Sequence, residues 1–130
     1  MATWADVERL TGTLPETTVG TRWSNRTWFV ADKGYVWERP LSKKDRVHLG
    51  DAAPGDDVIL AARVEHEVAK QALLADDPAV FFTTPHFDGY PAILVRLDVI
   101  GLEDLEEVVT EAWLTQAPEP LAREYLADRS

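Results

Sequence analysis

The chain has 130 residues, of which 45% are hydrophobic and 28% are charged, and it contains no cysteine. This composition indicates one soluble globular domain spanning residues 1–130, and it excludes disulfides and thiolate metal sites. No stretch reaches the roughly 18 apolar residues of a membrane span, and no signal-peptide pattern begins the chain. We therefore expect a cytoplasmic protein without a membrane partner.

The net charge of −10 is unevenly distributed along the chain. Residues 1–50 contain eight basic and six acidic side chains, whereas residues 51–130 contain five basic and seventeen acidic ones. Between residues 22 and 46, seven basic side chains outnumber three acidic ones. The molecule as a whole repels polyanions, but this segment predicts a local basic surface.

The first forty residues predict a helix, a turn and a β-hairpin. A capping box begins the helix at Thr3, and Gly12 ends it. The proline and glycine of segment 14–20 predict a turn or a single helical turn. Two aromatic and β-branched runs within residues 26–40 predict the hairpin, and Gly34 is expected to supply positive φ in its turn.

The middle of the chain predicts a short helix, a strand and a longer helix. Ser42 and Gly50 are the caps of the short helix. The continuous apolar run 58–62 predicts a buried strand, and residues 65–77 then have helical periodicity. The predicted buried face of this second helix consists of Val68, Ala72 and Leu73.

The last part of the chain predicts two strands and two helices. The strands are segments 79–82 and 92–98. An acidic helix with an apolar stripe begins near Leu102, and a terminal helix follows within residues 117–130. The order of the elements predicts an α+β fold: a single domain with a mainly antiparallel sheet and helices packed on one face.

The segment PHFDGYP, residues 85–91, connects the last two strands. Its prolines and glycine are typical of a tight, rigid connection whose aromatic rings pack it down. His86, Asp88 and Tyr90 also support two other interpretations: a ligand-binding loop, or a histidine oriented by a carboxylate for base catalysis. No nucleophile motif accompanies the pair, so we assign no catalytic residue and expect no enzyme.

The three histidines are widely separated and lack metal-ligand spacing, so we predict neither a metal site nor a cofactor. Basic residues that flank an aromatic ring, as in RWSNR, can hold phosphates while the ring stacks on a base. The same pattern also fits a rim tryptophan with solvated neighbours. The candidate nucleic-acid-binding residues are Arg22, Trp23, Arg26, Lys33, Lys43, Lys44 and Arg46.

The run DPAVFFTTPHFDGYPAILVRLD, residues 77–98, resembles the MmcQ/YjbR-like family of small bacterial proteins. The hairpin WFVADKGYVW and the acidic helix that leads to EAWLTQAP agree with the family in order and spacing. The resemblance implies a CyaY/frataxin-like α+β domain without assigned catalytic residues. It also implies DNA binding by a double-wing arrangement, in which the hairpin tip at residues 30–35 is a wing.

Two functional hypotheses follow. The first is weak, salt-sensitive DNA binding through the basic N-terminal region. The alternative is a module that binds a small molecule or a protein partner in a pocket beside residues 84–91. The sequence identifies neither the ligand nor the number of subunits, and it is compatible with a monomer.

Overall fold

Within residues 2–54 and 58–129, which the computed structural model describes, the chain forms five α-helices and a six-stranded sheet. The helices are α1 (Trp4–Gly12), α2 (Lys43–Leu49), α3 (Glu67–Asp76), α4 (Leu102–Gln116) and α5 (Glu119–Arg129). The strands are β1 (Thr17–Arg22), β2 (Asn25–Val30), β3 (Lys33–Glu38), β4 (Ile59–Arg63), β5 (Phe81–Phe82) and β6 (Ala92–Arg96). Two 3-10 helices, Gly50–Ala52 and Pro85–Phe87, complete the described elements. No helix in these two ranges is long and apolar enough to cross a membrane.

The strands lie in the order β1-β2-β3-β4-β6-β5, and every neighbouring pair is antiparallel. Strand β6 lies between β4 and β5, where Leu94 is opposite both Ala61 and Phe82. This arrangement confirms the predicted α+β domain with an antiparallel sheet.

One face of the sheet carries the main hydrophobic core. Helices α1 and α4 pack there, as predicted, and the apolar stripe of α4 is buried against the sheet. The indole Nε1 of Trp113 donates a 3.1 Å hydrogen bond to the carbonyl oxygen of Pro15, which ties α4 to the segment before β1. The ring of Tyr125 on α5 lies 4.9 Å from that of Trp113 and joins the last helix to this core.

The opposite face is only partly covered. A smaller cluster there combines Leu41, which precedes α2, and Phe87, which precedes β6, with residues of β4, β5 and β6. Successive side chains of a strand point to opposite faces, so Ile59 and Ala61 belong to this cluster whereas Leu60 and Ala62 belong to the main core. The cluster includes no residue of β1 or β2, and this leaves room for the cleft described below.

The prediction of a turn over residues 14–20 is correct only for residues 14–16, because Thr17–Arg22 forms strand β1. The segment is rich in β-branched residues and pairs with β2 through a two-residue turn, Trp23 and Ser24. It has no regular apolar alternation because it is an edge strand with mostly exposed side chains. Pairing with β2, rather than a pattern of its own, determines its structure.

The β2–β3 hairpin is confirmed, but its turn differs from the prediction. Ala31 and Asp32 have the positive φ values, 49° and 65°, whereas Gly34 lies within β3. A Cβ atom at Gly34 would lie 2.9 Å from the Cγ2 atom of Thr27 on the neighbouring strand. Glycine is therefore needed at this position for close approach of a side chain rather than for turn geometry.

The predicted buried face of α3 is correct for Leu73 and wrong for Val68 and Ala72. Val68 is 75% exposed and Ala72 is exposed, whereas Lys70 is only 1% exposed. Leu73 and Leu74 pack against the main core. The apolar pattern misassigned this helix because its most buried side chain is a lysine, which hydrophobic periodicity treats as solvent-facing.

Candidate ligand-binding cleft

A cleft of about 970 Å³ lies on the partly covered face of the sheet. Its floor includes Thr27 of β2, Trp37 of β3 and Arg63 of β4. The cleft extends from the two hairpin turns to the 85–91 loop. Its further lining residues are Arg22, Trp23, Asn25, Asp32, Lys33, Gly34, Arg39, Pro40, His86, Phe87, Tyr90 and Gln116.

Positive charge predominates among the side chains of the cleft. It has four cationic lining residues, Arg22, Lys33, Arg39 and Arg63, and among the described residues that line it Asp32 alone is acidic. Arg39 is neutralised, because its Nη2 donates a 3.1 Å hydrogen bond to Asp45. In the described ranges no carboxylate lies within 4.0 Å of the charged nitrogens of the other three. A local cationic site therefore exists on a chain whose net charge is −10.

Aromatic rings support the guanidinium groups of the cleft. The guanidinium carbon of Arg22 lies 5.3 Å from the centroid of the Phe29 ring, and that of Arg39 lies 5.3 Å from the Phe87 ring. Arg63 lies 5.1 Å from the Tyr90 ring, and its Nε donates a 3.1 Å hydrogen bond to the carbonyl oxygen of Pro91. Such contacts restrict the guanidinium planes, so the charges are held in place before any ligand binds.

A buried lysine holds the 85–91 loop in place through hydrogen bonds to its backbone. The Nζ atom of Lys70 donates hydrogen bonds to the carbonyl oxygens of Phe87 at 2.6 Å and Tyr90 at 3.1 Å. Phe87 is buried in the smaller cluster. Gly89, between Phe87 and Tyr90, has a φ of +73°, which allows the chain to turn sharply there. The loop is therefore a fixed wall of the cleft, in which Tyr90 remains partly exposed.

The candidate residues of the loop occupy different environments. His86 and Tyr90 line the cleft, and the His86 ring lies edge-on to Phe87 at 5.1 Å. Asp88 is not among the residues that line the cleft, and in the described part of the chain no hydrogen bond joins it to His86. The two side chains therefore lack the contact that carboxylate-assisted base catalysis requires.

The predicted basic residues lie in three places: the cleft, helix α2 and, for Arg26, the opposite face of the sheet. Arg22 and Lys33 line the cleft together with Trp23. Lys43 and Lys44 lie on α2, as does Arg46, whose Nη1 contacts the carbonyl oxygen of Pro54 at 3.4 Å; none of the three lines the cleft.

Arg26 belongs to the other face of the sheet. Its guanidinium carbon lies 4.8 Å from the Trp28 ring and 5.7 Å from the Trp4 ring, both of which pack in the main core. Glu8 and Glu38 accept its hydrogen bonds, the latter at 2.9 Å. The alternation of side chains along β2 separates Arg26 from Thr27, which lines the cleft.

Sequence reasoning missed Arg39 and Arg63. Arg63 is the last residue of β4 and lies two and four positions after Ala61 and Ile59, which belong to the smaller cluster. The period of two along a strand could have placed Arg63 on the same face. No pattern in the sequence marks that face as incompletely covered, and this is why the signal was not recognised.

Trp23 has an unusual environment for a tryptophan. Its side chain is 87% exposed, and its φ of 54° lies in the left-handed region. Ser24, with a φ of 66°, completes the turn, and the side-chain amide of Asn25 donates a 3.1 Å hydrogen bond to the Trp23 carbonyl oxygen. Type I′ turns of this kind favour asparagine and glycine, so the turn itself does not explain a tryptophan.

Residues 2–54 and 58–129 contain no cluster of three or more His, Asp or Glu side chains that could hold a metal ion. The chemistry available in the cleft is that of cations, aromatic faces and hydrogen-bond donors. Such a set can hold anions and flat rings.

Comparisons with known proteins agree with this fold. The chain is 51% identical over 131 residues to the uncharacterized protein Rv2570 of Mycobacterium tuberculosis and to the uncharacterized protein Mb2600 of Mycobacterium bovis, with 98% of this chain and of each relative covered. The crystal structure of Deinococcus radiodurans protein DR2400 is similar in fold, with a TM-score of 0.67 at 18% identity; the alignment covers 98% of this chain and 89% of that one. A family model described as YjbR matches residues 12–115, and the chain therefore belongs to the YjbR family.

Proposed function

We propose that this YjbR-family protein binds DNA through the cleft, with Arg22, Lys33 and Arg63 contacting phosphate groups. The supporting observation is that cations at the ends of β1 and β3, beside the two hairpin turns, and on the central strand β4 meet in one concavity, where Asp32 is the single acidic side chain among the described lining residues. Arginine and lysine are the side chains that most often contact DNA phosphates. The proposed contact surface is therefore one face of the sheet rather than the basic N-terminal segment as a whole.

The charge of the whole molecule determines the strength of this binding. A net charge of −10 opposes the approach of a polyanion, whereas the cleft attracts it at short range. Three phosphate contacts predict that the logarithm of the association constant falls with the logarithm of salt concentration with a slope of about −2 to −3. We therefore expect weak binding that is detectable mainly at low salt.

The decisive measurement is fluorescence anisotropy of labelled DNA at about 50 mM and about 200 mM salt. The double variant Arg22→Gln with Lys33→Gln removes two cleft cations. The matched control, Lys43→Gln with Lys44→Gln, removes the same charge from α2, outside the cleft. We expect the cleft variant to flatten the salt dependence by about two units of slope, and the control to leave it close to that of the wild type.

Two results would reject the proposal. One is the absence of binding by the wild-type protein at low salt. The other is equal loss of affinity in the cleft variant and the α2 control, which would mean that only total charge matters.

The volume of the cleft supports a second candidate, a small anionic ligand held beside the 85–91 loop. A cleft of about 970 Å³ is at the upper end of the range for small-molecule sites, roughly 300–1,000 Å³. A ligand that binds only the folded protein raises its melting temperature by mass action. Thermal shift with mononucleotides and sugar phosphates tests this candidate. It is favoured if one of them binds at least as tightly as an oligonucleotide, and rejected if none stabilises the protein.

A further inference from the structure

We infer that the cleft takes an unpaired nucleic-acid strand, with a base stacked on Trp23, in preference to an intact duplex. The inference rests on the proposed function and specifies which form of nucleic acid the site accepts. Its evidence is the placement and exposure of aromatic side chains, which is independent of the charge of the cleft.

Exposed aromatic side chains lie at both ends of the cleft. Trp23 is 87% exposed in the β1–β2 turn, and Tyr90 is 43% exposed in the 85–91 loop. Trp37 lies on the floor between them and is partly buried. Bases of an unpaired strand can stack on such rings, whereas each base of a duplex is already stacked on both faces.

The backbone at Trp23 provides independent support. A bulky residue with a φ of 54° is disfavoured relative to glycine or asparagine. The Trp23 side chain gains little from packing, because it is almost fully exposed. An unfavourable backbone conformation without a packing benefit is typical of residues kept for binding.

The shape of the site also favours an unpaired strand. Duplex recognition generally uses a helix or ribbon that projects into a groove. Here the cations lie in a concavity together with Trp37, and the Arg63 guanidinium is itself stacked on Tyr90. A flexible strand can follow a concave cationic surface and present its bases to the rings.

The inference is tested by competition between an unlabelled single strand and the duplex of the same sequence, each prepared as DNA and as RNA. We expect the single strand to compete at least tenfold better, and to quench tryptophan fluorescence on binding. A preference for DNA or for RNA supports the inference in either case and identifies the source of the strand.

Two variants isolate the stacking contribution. Trp23→Leu is expected to weaken single-strand binding by about tenfold to a hundredfold, while Trp23→Phe retains most of the affinity but loses the part of the quenching that comes from Trp23. Both variants keep a non-glycine residue in the same turn, and circular dichroism checks that both fold. Equal or stronger binding of duplex, or full affinity in Trp23→Leu, would overturn the inference while leaving DNA binding by the cleft intact. Absence of binding by every strand at low salt would instead overturn the proposed function itself, and with it this inference.

Discussion

The Nζ atom of Lys70 lies 2.6 Å from the carbonyl oxygen of Phe87. Lys70 is buried, although most residues of its helix, α3, are exposed. A buried ammonium is costly unless hydrogen bonds replace its hydration, and the carbonyl oxygen of Tyr90 provides a second one. Glu67, 3.9 Å away, adds an opposite charge. Through these contacts α3 determines the position of the loop that walls the cleft.

Replacement of Lys70 by methionine, which has similar length and no charge, removes both hydrogen bonds. We expect the free energy of unfolding to fall by about 1.5–3 kcal/mol, as is typical for hydrogen bonds to charged groups. Amide hydrogen exchange within residues 85–91 is expected to accelerate more than exchange in the central strands. Urea unfolding and exchange measurements test both expectations.

The control for this variant is Lys44→Met on α2, where the lysine is exposed. It changes the net charge equally and should alter stability by less than about 0.5 kcal/mol. If Lys70→Met left the exchange of the loop unchanged, Lys70 would not be what holds the loop in place.

Substitution of Gly34 by alanine tests the close approach of β2 and β3. The new Cβ would lie 2.9 Å from Thr27 Cγ2, and Thr27 is buried and hydrogen-bonded to the Asn25 carbonyl oxygen. We expect a loss of about 1–3 kcal/mol of stability from this overpacking. Gly12→Ala is the matched control, since Gly12 ends α1 and nothing lies within 4 Å of the position that its added methyl group would occupy. The prediction fails if both variants unfold at the same urea concentration.

Asp45 links α2 to Arg39 and makes stability depend on pH. Burial opposes its ionisation, but hydrogen bonds from Ser42 and the charge of Arg39 outweigh that effect and lower the pKa of Asp45 below its usual 3.8. Because the folded-state pKa is the lower one, the stabilisation is complete above about pH 3.8 and is lost as pH falls through the folded-state value.

The Asp45→Asn variant should therefore lose about 1–2 kcal/mol at about pH 7, from the cap and the ion pair together. The difference in free energy of unfolding between the variant and the wild type narrows below about pH 3.8, because the wild-type carboxylate becomes protonated and loses its charge. Urea midpoints at both pH values measure this change. Asp98→Asn, at an exposed position, serves as the charge control. A difference that stayed constant with pH would show that the carboxylate charge is not involved.

Tyr35 predicts a loss of stability at alkaline pH. Burial raises the pKa of Tyr35 to about 12, although a 2.9 Å hydrogen bond with the Thr17 hydroxyl partly opposes the shift. The unfolded chain ionises first, near pH 10, so the free energy of unfolding falls by up to about 1.4 kcal/mol per pH unit between about pH 10 and about pH 12. Tyr35→Phe removes this contribution, and its stability should decline less steeply over that interval. Parallel curves for the two proteins would contradict the prediction.

Elements with a strong pattern of their own were predicted correctly from the sequence. The apolar stripe of α4, the alternation in β6, the capping box at Thr3 and the N-cap at Ser42 are all local features. Strand β1 was missed because its structure depends on pairing with β2. Lys70 was missed because periodicity assigns every lysine to the surface.

The candidate site could be predicted only in part for a related reason. Proximity in sequence grouped Arg22 with Arg26, but the sheet places them on opposite faces. Arg39 and Arg63 join the cleft only because β3 and β4 are neighbours. Which residues line the cleft depends on the order of the strands in the sheet and on the face of the sheet to which each side chain points. Neither is a property of one segment alone.

The position of Arg26 beside two indole rings, next to Thr27 on the other side of the same strand, has an evolutionary consequence. Insertion or deletion of one residue within β2 would exchange the two sets of side chains, exposing Trp28 and burying the polar lining of the cleft. Homologues that keep this site are thus expected to vary in β2 by substitution, with length changes confined to the turns at either end.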